Sequence, residues 1–345
     1  MEGKKFVLCT GGLGYVGSHT VVSLYEKGYK VVIVDNLSNS NIKCLNQLEL
    51  IVKEKPTFYQ GDLKSFEAID KVFKAQKDKG EPICAAIHFA AFKAVKDSVN
   101  NPLEYYENNL GSTINLLKAM DKGGCNHLIF SGSACVYGDN PSAKEEDPLG
   151  AINPYGQTKI IVEQIMKDYA VANKNFRGIS LRYFNPIGAH HSGLIGEDPK
   201  DKPNNIMPII QKIAIGELPE LEIYGNDYQT RDGTCIRDYI HVQDIADAHV
   251  NALEYIGGMK EGFDAINLGS GKGTTVLELI TAFEKANGIT LNKKIGGRRE
   301  GDAPIVTAVA DKALKLLGWK VKRSIEECCK DSWKWISTHP KGYES

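Results

Sequence analysis

A tyrosine and a lysine that could exchange a proton with a hydroxyl group stand four residues apart in the segment Tyr155-Gly-Gln-Thr-Lys159. The segment opens an amphipathic helical pattern, so this spacing places both side chains on one face of a helix. A free phenol has a pKa of about 10, and a nearby ammonium group favours the phenolate form that can accept a proton. Pairs of this spacing also occur on solvated helix surfaces, so the interpretation depends on the surrounding elements.

A serine that could join the pair ends the apolar run Ile129-Phe130-Ser131-Gly132-Ser133. If this run is a parallel strand, Ser133 lies at the carboxyl edge of the sheet, where ligands bind in α/β folds. Its hydroxyl group can bridge the phenol and a substrate hydroxyl. We therefore predict Tyr155, Lys159 and Ser133 as catalytic residues.

A glycine-rich turn near the start of the chain predicts a dinucleotide site. The segment Thr10-Gly-Gly-Leu-Gly-Tyr-Val-Gly17 follows an apolar run and opens a helical pattern. Glycines at positions 11, 14 and 17 permit a tight turn and let backbone N–H groups approach a pyrophosphate at the helix N-terminus. Asp35, after the next apolar run, would accept hydrogen bonds from an adenosine ribose and repel a 2′-phosphate, which favours NAD over NADP. The positive nicotinamide ring of NAD would join the ammonium group in favouring the phenolate of Tyr155. A chance turn and a surface aspartate are the alternatives.

The elements that must position these residues follow from short apolar runs separated by amphipathic stretches. The runs are Phe6 to Cys9, Val31 to Val34, Thr57 to Gln60, Ile83 to Phe89, His127 to Phe130 and Gly178 to Phe184. Near-continuous apolar strands alternating with helices are typical of a parallel sheet covered on both faces, so we predict an α/β fold with a doubly wound parallel Rossmann sheet.

A smaller mixed α/β lobe is predicted after Phe184, because proline and glycine then separate shorter elements, including a helix near 206–215 and a strand over 221–224. The run Ile236 to Val242 and the helical pattern after it return to the first lobe. We predict a Rossmann domain over residues 1–185 and about 235–258. The substrate-binding domain then comprises residues 186–234 and 259–345.

Composition and charge favour small-molecule partners. The 345 residues carry a formal net charge of −1 without long blocks of like charge, so nothing suggests binding of nucleic acid or of a membrane surface. The eight cysteines form no Cys-x-x-Cys pair, and several lie in apolar runs. A reducing compartment and the absence of a signal-like or membrane-spanning stretch predict a cytoplasmic location. His190 and His191 have no spaced ligand partners, so we expect solvated loop histidines and no metal.

Eight segments carry a resemblance to a known family: Thr10-Gly-Gly-Leu-Gly-Tyr-Val-Gly-Ser-His19, Asp35-Asn-Leu-Ser-Asn-Ser40, His88-Phe-Ala-Ala-Phe-Lys-Ala-Val95, Pro102-Leu-Glu-Tyr-Tyr-Glu-Asn-Asn109, Ser131-Gly-Ser-Ala-Cys-Val-Tyr-Gly138, Leu181-Arg-Tyr-Phe-Asn-Pro186, Pro203-Asn-Asn-Ile-Met-Pro208 and Ile236-Arg-Asp-Tyr-Ile-His-Val242. Together they resemble the extended short-chain dehydrogenase/reductase family, and within it the epimerases that act on UDP-galactose and UDP-glucose. The resemblance covers essentially the whole chain.

The resemblance implies specific binding residues. For NAD they are Gly11, Gly12, Gly14, Tyr15, Val16, Gly17, Asp35, Asn36, Asn39, Ser40, Asp62, Leu63, Phe89, Ala90, Lys93, Asn109, Ser131, Tyr155, Lys159 and Tyr183. For a UDP-hexose they are Lys93, Ser133, Tyr155, Phe184, Asn185, Asn205, Ile206, Tyr224, Arg237, Arg299, Asp302 and Val306. Arginines suit the pyrophosphate because a guanidinium group makes forked, charge-assisted contacts.

The implied reaction removes the proton from the sugar 4-hydroxyl and a hydride from C4, and then returns the hydride to the other face of a 4-keto sugar. A homodimer formed through the helices near 102–120 and 154–173 is implied as well. At Val306 some relatives carry tyrosine and others a small residue. We therefore expect room for a 2-N-acetyl group, although an ordinary strand valine explains Val306 equally well.

Three other functions differ from this one in what they require. A nucleotide-sugar 4,6-dehydratase needs an acid and a base, and such relatives carry Asp-Glu after the serine, where this chain has Ala134 and Cys135. A net dehydrogenase or decarboxylase acting on UDP-glucuronate would begin with the same oxidation. A non-catalytic NAD-binding scaffold has no need of Tyr155, Lys159 and Ser133 together.

Overall fold

The computed structural model describes residues 5–200, 203, 205–260, 262–299 and 301–344. The strands are β1 Phe6–Thr10, β2 Lys30–Asp35, β3 Thr57–Gln60, β4 Ile83–His88, β5 His127–Ser131, β6 Ser142–Ala143, β7 Arg177–Tyr183, β8 Asn185–Ile187, β9 Leu221–Tyr224, β10 Ile236–Arg237, β11 Tyr239–His241, β12 Phe263–Leu268, β13 Thr274–Thr275, β14 Lys293–Gly296 and β15 Ile305–Ala308. The α-helices are α1 Tyr15–Glu26, α2 Lys43–Val52, α3 Phe66–Asp78, α4 Val95–Asn100, α5 Pro102–Gly123, α6 Pro154–Ala172, α7 Ile206–Ala214, α8 Val242–Ile256, α9 Val276–Asn287, α10 Asp311–Leu317 and α11 Ile325–Thr338.

Seven parallel strands form the main sheet, in the order β12-β7-β5-β4-β1-β2-β3. From β1 the chain builds toward β3 and then crosses back to β4 on the other side of β1. Ligands bind outside the carboxyl ends of the strands where the strand order reverses, here between β1 and β4. The predicted doubly wound α/β fold is confirmed.

Alternating side chains of the main sheet enter two different cores. Val7, Cys9 and Ile33 belong to the core on one face, whereas Leu8 and Val32 belong to the core on the other. Successive side chains of a strand point to opposite faces, so a strand buried on both faces must be apolar throughout. This explains why the strands appear in the sequence as continuous apolar runs.

The smaller elements pack around a third core that contains Ile210, Ile223, Leu279, Phe283 and Cys329. The two-stranded sheets β11-β8 and β14-β9 belong to this region, whereas the four-stranded sheet, in the order β13-β10-β15-β6, contributes Ala143 and Ala308 to the first core. Helices α7, α9 and α11 cover the third core. The predicted mixed α/β character of the second lobe corresponds to this arrangement.

The structure differs from the predicted domain boundaries at β12. Residues 259–345 were assigned to the second domain, but Phe263–Leu268 pairs along its whole length with β7 at the edge of the main sheet. Without β12, β7 would be an unpaired edge strand of the main sheet. The other boundaries, 1–185 with about 235–258 and 186–234 with the rest, remain predictions.

The run Ile236 to Val242 is two short strands rather than one. β10 and β11 lie in different sheets, and the buried Asp238 stands between them. Its carboxylate accepts hydrogen bonds from the backbone N–H groups of Ser270, Gly271 and Ala308, at 2.8, 3.0 and 3.1 Å. A polar residue in an apolar run therefore marks the point where the chain changes sheets.

Candidate active site

A cavity of about 500 Å³ lies at the carboxyl ends of the main-sheet strands, at the reversal of strand order. It extends from the glycine-rich turn, past Tyr155, to Arg237 and Arg299 in the smaller region. The cavity is continuous, so ligands bound at its two ends can meet beside Tyr155. The predicted cofactor and substrate regions therefore form one site.

The glycine-rich turn is packed so closely that side chains do not fit. A Cβ atom on Gly11, whose φ is +67°, would lie 2.8 Å from the backbone nitrogen of Ala90. A Cβ atom on Gly17 would lie 2.4 Å from the carbonyl oxygen of Gly11. Gly14 is the N-cap of α1 and provides no capping side chain, so the first N–H groups of the helix remain available to an anion. These features fit a bound pyrophosphate.

Gly12 is one predicted cofactor residue that the cavity lining does not include. A Cβ atom there would lie 2.9 Å from the side chain of Ile33, on the sheet side of the turn. The absence of a side chain therefore serves the close packing of the turn against β2.

Asp35 lines the cavity at the end of β2 with its carboxylate held in place. Oδ1 accepts hydrogen bonds from the backbone N–H of Leu37 and the hydroxyl of Ser40, at 2.9 and 2.7 Å, and Oδ2 accepts one from the backbone N–H of Leu13 at 3.1 Å. Carboxylate oxygens can accept more than one hydrogen bond each, so these bonds orient the group and leave capacity for a ribose.

Tyr155 and Lys159, the predicted catalytic pair, lie at the start of α6. Asn153 caps this helix, its side chain accepting a hydrogen bond from the N–H of Gly156 at 2.8 Å, and Pro154 occupies the first turn. The Nζ of Lys159 lies 5.6 Å from the centre of the Tyr155 ring and donates to the carbonyl oxygen of Ser131 at 2.8 Å. The i, i+4 geometry expected from the sequence is present.

Burial dominates the titration of both residues. It raises the pKa of Tyr155 well above its ordinary value, although a hydrogen bond from Ser133 acts in the opposite direction. Burial lowers the pKa of Lys159 to about 8. The sequence suggested that the lysine favours the phenolate, but its Nζ is directed to a backbone carbonyl. Further positive charge, such as that of an oxidised nicotinamide ring, is therefore needed to form the phenolate.

Ser133 and Ser131 complete this part of the site. Ser133 acts to lower the pKa of Tyr155, and its Oγ accepts a hydrogen bond from the N–H of Cys135 at 3.2 Å. The hydroxyls of Ser131 and Tyr183 are hydrogen-bonded to each other, and burial raises the pKa of Tyr183 to about 12. Tyr183 is thus a neutral hydroxyl at physiological pH.

Asn109 lies outside the cavity lining, in contrast to its predicted cofactor contact. Its Oδ1 accepts a hydrogen bond from the N–H of Phe92 at 2.9 Å, and its Nδ2 donates to the carbonyl of Phe92 and the hydroxyl of Thr158, both at 3.1 Å. Asn109 therefore ties the loop after β4 to α6 and acts on the site through Phe92.

The far end of the cavity combines two arginines with one carboxylate. Asp302 accepts from Arg237 Nη2 at 3.3 Å and from Arg299 Nη2 and Nε at 2.6 and 3.0 Å. Arg299 also lies over the ring of Tyr224, 5.6 Å from its centre. Asp302 therefore orients both guanidinium groups toward the region where a diphosphate is predicted.

The cavity lining includes most other predicted residues. They are Tyr15, Val16, Asn36, Asn39, Asp62, Leu63, Phe89, Lys93, Phe184, Asn185, Asn205 and Ile206. Val306 is not among them: it pairs with Arg237 between β15 and β10 and packs against a core. Its predicted role in setting the width of the sugar site therefore remains untested.

Several lining residues were not predicted from the sequence, notably Glu197, Tyr239 and Cys135. Glu197 lies in Gly-Glu-Asp-Pro, a segment that resembles an ordinary surface turn. Burial raises the pKa of the Cys135 thiol, so this residue stays protonated at neutral pH. The position that holds an acid in 4,6-dehydratases is thus occupied here by a neutral thiol.

The histidine loop differs in part from expectation. His190 is buried and its Nδ1 lies 2.8 Å from the hydroxyl of Ser192, whereas His191 is exposed. His190 is therefore not the solvated residue that was predicted. Within the described ranges, no three His, Cys, Asp or Glu side chains are grouped as metal ligands. Nor does any helix of the described residues have the length and apolar character needed to cross a membrane.

The fold and the site define an NAD-binding α/β protein, and a family model places it more closely. The chain belongs to the NAD dependent epimerase/dehydratase family, whose model matches residues 7–269. It is 50% identical to the UDP-glucose 4-epimerase of Bacillus subtilis (strain 168), over 98% of this chain and 99% of that protein. With UDP-glucose 4-epimerase 2 of Arabidopsis thaliana the identity is 47%, over 99% and 97% of the two chains.

A solved structure gives the same result. The chain superposes on UDP-glucose 4-epimerase from Bifidobacterium longum, solved in complex with NAD⁺ and UDP, with a TM-score of 0.92 and 45% identity. The match covers 98% of this chain and 100% of the other. The family assignment made from the sequence is confirmed.

Proposed function

We propose that this protein is an NAD-dependent isomerase of galactose metabolism that interconverts UDP-galactose and UDP-glucose by inverting C4 of the hexose. One observation carries the proposal: Tyr155, Ser133 and Lys159 lie within a single cavity that has a dinucleotide turn at one end and Arg237 and Arg299 at the other. A nicotinamide ring and an anchored sugar can therefore meet beside one acid–base group.

NAD fits the first half of the cavity. The turn at Gly11 and Gly17 would hold its pyrophosphate, Asp35 the adenosine ribose, and Lys93 the region of the nicotinamide ribose. When bound, NAD supplies a hydride acceptor that can return the same hydride. The protein contributes orientation, proton transfer and exclusion of water around the reacting carbon.

Tyr155, as the phenolate, accepts the proton of the sugar 4-hydroxyl, and Ser133 bridges the two oxygens. Arg237 and Arg299 hold the diphosphate, so a 4-keto sugar stays bound while it turns its other face toward the cofactor. Tyr155 then returns the proton to the new hydroxyl. No net oxidation results, so bound NAD suffices for repeated turnover.

The alternatives fit less well. A 4,6-dehydratase needs a proton donor beside Ser133, where Cys135 offers a thiol that burial keeps protonated and weakly acidic. A dehydrogenase or decarboxylase acting on UDP-glucuronate would release NADH, which distinguishes it in solution. A non-catalytic scaffold leaves the placement of Tyr155, Ser133 and Lys159 in one cavity without a purpose.

The test is conversion of UDP-galactose to UDP-glucose by purified protein without added NAD, followed by NMR. Tyr155→Phe should lower kcat by roughly 10²- to 10⁴-fold, the usual contribution of a general acid–base group. Tyr169→Phe is the matched control, because its hydroxyl lies on the same helix but bonds Asp121 outside the cavity. If product appears only together with the formation of a stoichiometric amount of NADH, the protein is a dehydrogenase. If no UDP-hexose gives a product, the protein is a non-catalytic scaffold.

We also propose a homodimer formed through α5 and α6. Large apolar side chains are exposed on or near these helices: Leu103 is 82% exposed, Val171 70% and Val99 60%. Val99 and Leu103 lie four residues apart, at the end of α4 and the start of α5, and exposed large apolar side chains of this kind favour a protein interface. Light scattering should give twice the chain mass, and Leu103→Glu should lower it, whereas Leu314→Glu on α10 should not. A monomeric parent protein would contradict the proposal.

A cytoplasmic location is proposed from the thiols. All eight cysteines are free, and Cys328 and Cys329 are adjacent and buried. Free thiols persist in reducing compartments. Fractionation of cells that express the chain should recover the enzyme activity in the cytosolic fraction.

A further inference from the structure

Glu197 is a buried carboxylate on the cavity wall that the proposed mechanism does not use. Its side chain is 6% exposed. The same oxygen, Oε1, accepts hydrogen bonds from Lys93 Nζ and from Asn205 Nδ2, both at 3.2 Å. An unpaired buried carboxylate is strongly unfavourable, so both contacts contribute to keeping Glu197 in place.

The two donors belong to opposite halves of the cavity. Lys93, which is predicted to contact both ligands, follows the Phe89–Ala90 segment that packs on Gly11, so it enters the cavity from the cofactor side. Asn205 precedes α7 in the smaller region, on the predicted substrate side. Glu197 is thus hydrogen-bonded to one group from each half of the cavity.

The hydrogen bond from Asn205 to Glu197 takes the place of a helix-capping hydrogen bond that an asparagine at this position usually makes. Asn205 is the N-cap of α7, where asparagine usually accepts a hydrogen bond from the first turn, but its side chain makes no cap hydrogen bond. Its amide donates to Glu197 instead. The contact therefore forgoes a local stabilising interaction, which favours a role for Glu197–Asn205 in the site.

The backbone around Glu197 is fixed from outside the cavity. Its carbonyl accepts a hydrogen bond from the indole of Trp335 at 3.4 Å, and the neighbouring Asp198 carboxylate accepts one from the N–H of Tyr343 at 3.0 Å. Lys93, in contrast, has a half-exposed side chain. The backbone of Glu197 is therefore fixed, whereas its carboxylate and the two donors are groups that a ligand can order.

We infer that Glu197 is a positioning residue that couples the binding of UDP-hexose to the retention of NAD, an inference that rests on the proposed function. A uridine diphosphate that orders Asn205 against Glu197 also orders the carboxylate that holds Lys93. The second ligand then loses less conformational freedom on binding, which makes the coupling positive. By linkage, NAD strengthens the binding of UDP by the same factor.

The experiment measures exchange of bound NAD for isotopically labelled NAD in the purified holoenzyme by mass spectrometry, with and without saturating UDP. In the parent protein UDP should slow exchange by about fivefold or more, within the usual range of coupling between two sites. Glu197→Ala should reduce this ratio to about twofold or less. Glu197→Gln keeps an acceptor oxygen but loses the charge, so its ratio should lie between them.

Glu284→Gln is the matched control, because Glu284 also accepts from one lysine, Lys293 Nζ at 2.6 Å, and one N–H, that of Leu291 at 2.9 Å, outside the cavity. It should leave the ratio unchanged. An equal ratio in the parent and in Glu197→Ala would overturn the inference. If Glu197→Ala does not fold, the test uses Glu197→Gln and Asn205→Ala instead. A ratio of NAD exchange rates equal to that of the parent in both variants would overturn the inference.

The outcome is separable from that of the proposed function. A parent protein that converts UDP-galactose but whose NAD exchange ignores UDP refutes the coupling and leaves the epimerase function intact. A parent protein that neither converts UDP-galactose nor responds to UDP refutes both. Steric blocking of NAD release by UDP alone predicts the same ratio with and without Glu197, and this result would overturn the inference.

Discussion

The ion pair between Glu163 and Arg182 fastens α6, the helix that carries Tyr155 and Lys159, to β7, and breaking it should destabilise the protein strongly. Glu163 lies one turn after Lys159 on α6. Glu163 is 0% exposed and Arg182 is 2% exposed. Arg182 Nε and Nη2 donate to the two carboxylate oxygens at 2.8 and 2.5 Å, and Ser180 Oγ donates at 2.7 Å. Burial opposes the charge of Arg182, but the bonds to Glu163 raise its pKa overall.

The magnitude follows from the geometry. Glu163→Met leaves a buried guanidinium group without its counter-charge, which typically costs about 3–5 kcal/mol. That is a large part of the 5–15 kcal/mol by which folded proteins are usually stable. The double variant Glu163→Met/Arg182→Met removes both charges and should recover most of the loss, because apolar side chains of similar size often replace a buried pair without penalty.

The assay is urea unfolding of holoprotein at fixed NAD content, with the free energy of unfolding taken from the midpoint at an unchanged slope. Asp227→Asn, which breaks a pair with Arg298 at the surface, should leave the midpoint unchanged. If the double variant is as unstable as Glu163→Met, the loss does not come from the uncompensated charge, and the reasoning is wrong.

Three further predictions concern pH, the cofactor turn and substrate range. Burial lowers the pKa of His88 to about 3 and of His249 to about 4, so the unfolded chain binds protons below about pH 6.5 that the fold does not. These histidines should make the unfolding free energy fall below that pH by about 1.4 kcal/mol per pH unit per histidine, and they contribute no slope above it. Gly17→Ala should lower the NAD that survives gel filtration, because the added methyl meets a backbone oxygen. Val306→Tyr should abolish interconversion of UDP-GlcNAc and UDP-GalNAc and spare UDP-galactose, as NMR of both substrate pairs would show.

Each of these has an outcome that contradicts it. A flat stability profile between pH 7 and 5 would mean that the buried histidines are already protonated or become solvated. Full NAD content in Gly17→Ala would mean that the turn relaxes around a methyl group. Absence of any N-acetyl turnover in the parent protein would end the hypothesis about Val306.

Much of the main sheet could be predicted because its strands are buried on both faces. Val31 to Val34 is apolar throughout, and such runs can only be central strands or buried helices of greater length. The edge strand β12 was missed because Phe263-Asp-Ala-Ile-Asn-Leu268 mixes polar and apolar residues. Its position depends on pairing with β7, which precedes it by about eighty residues. The local sequence pattern does not indicate such a distant pairing.

In the site too, features that depend on local sequence could be predicted, and features that depend on distant contacts could not. Glycines 11, 14 and 17 and the Tyr155–Lys159 spacing express local geometry, which a sequence displays directly. Glu197, in contrast, enters the site only because chain segments far apart in sequence bring Lys93 and Asn205 to its carboxylate. Asn109 shows the reverse case, since a polar residue in a matching segment lies beside the cavity and supports Phe92 instead.

The chain passes repeatedly between the main sheet and the smaller elements. It leaves the sheet after β7, returns with α8 and β12, leaves again for β13 and β15, and returns once more with α10, which packs on α8 and β12. A rotation of one region against the other would strain all these connections together, unlike rotation about a single hinge. A single backbone cut between the regions should therefore release no fragment under native conditions, and ligands should enter through local loop movements rather than by the opening of two rigid halves.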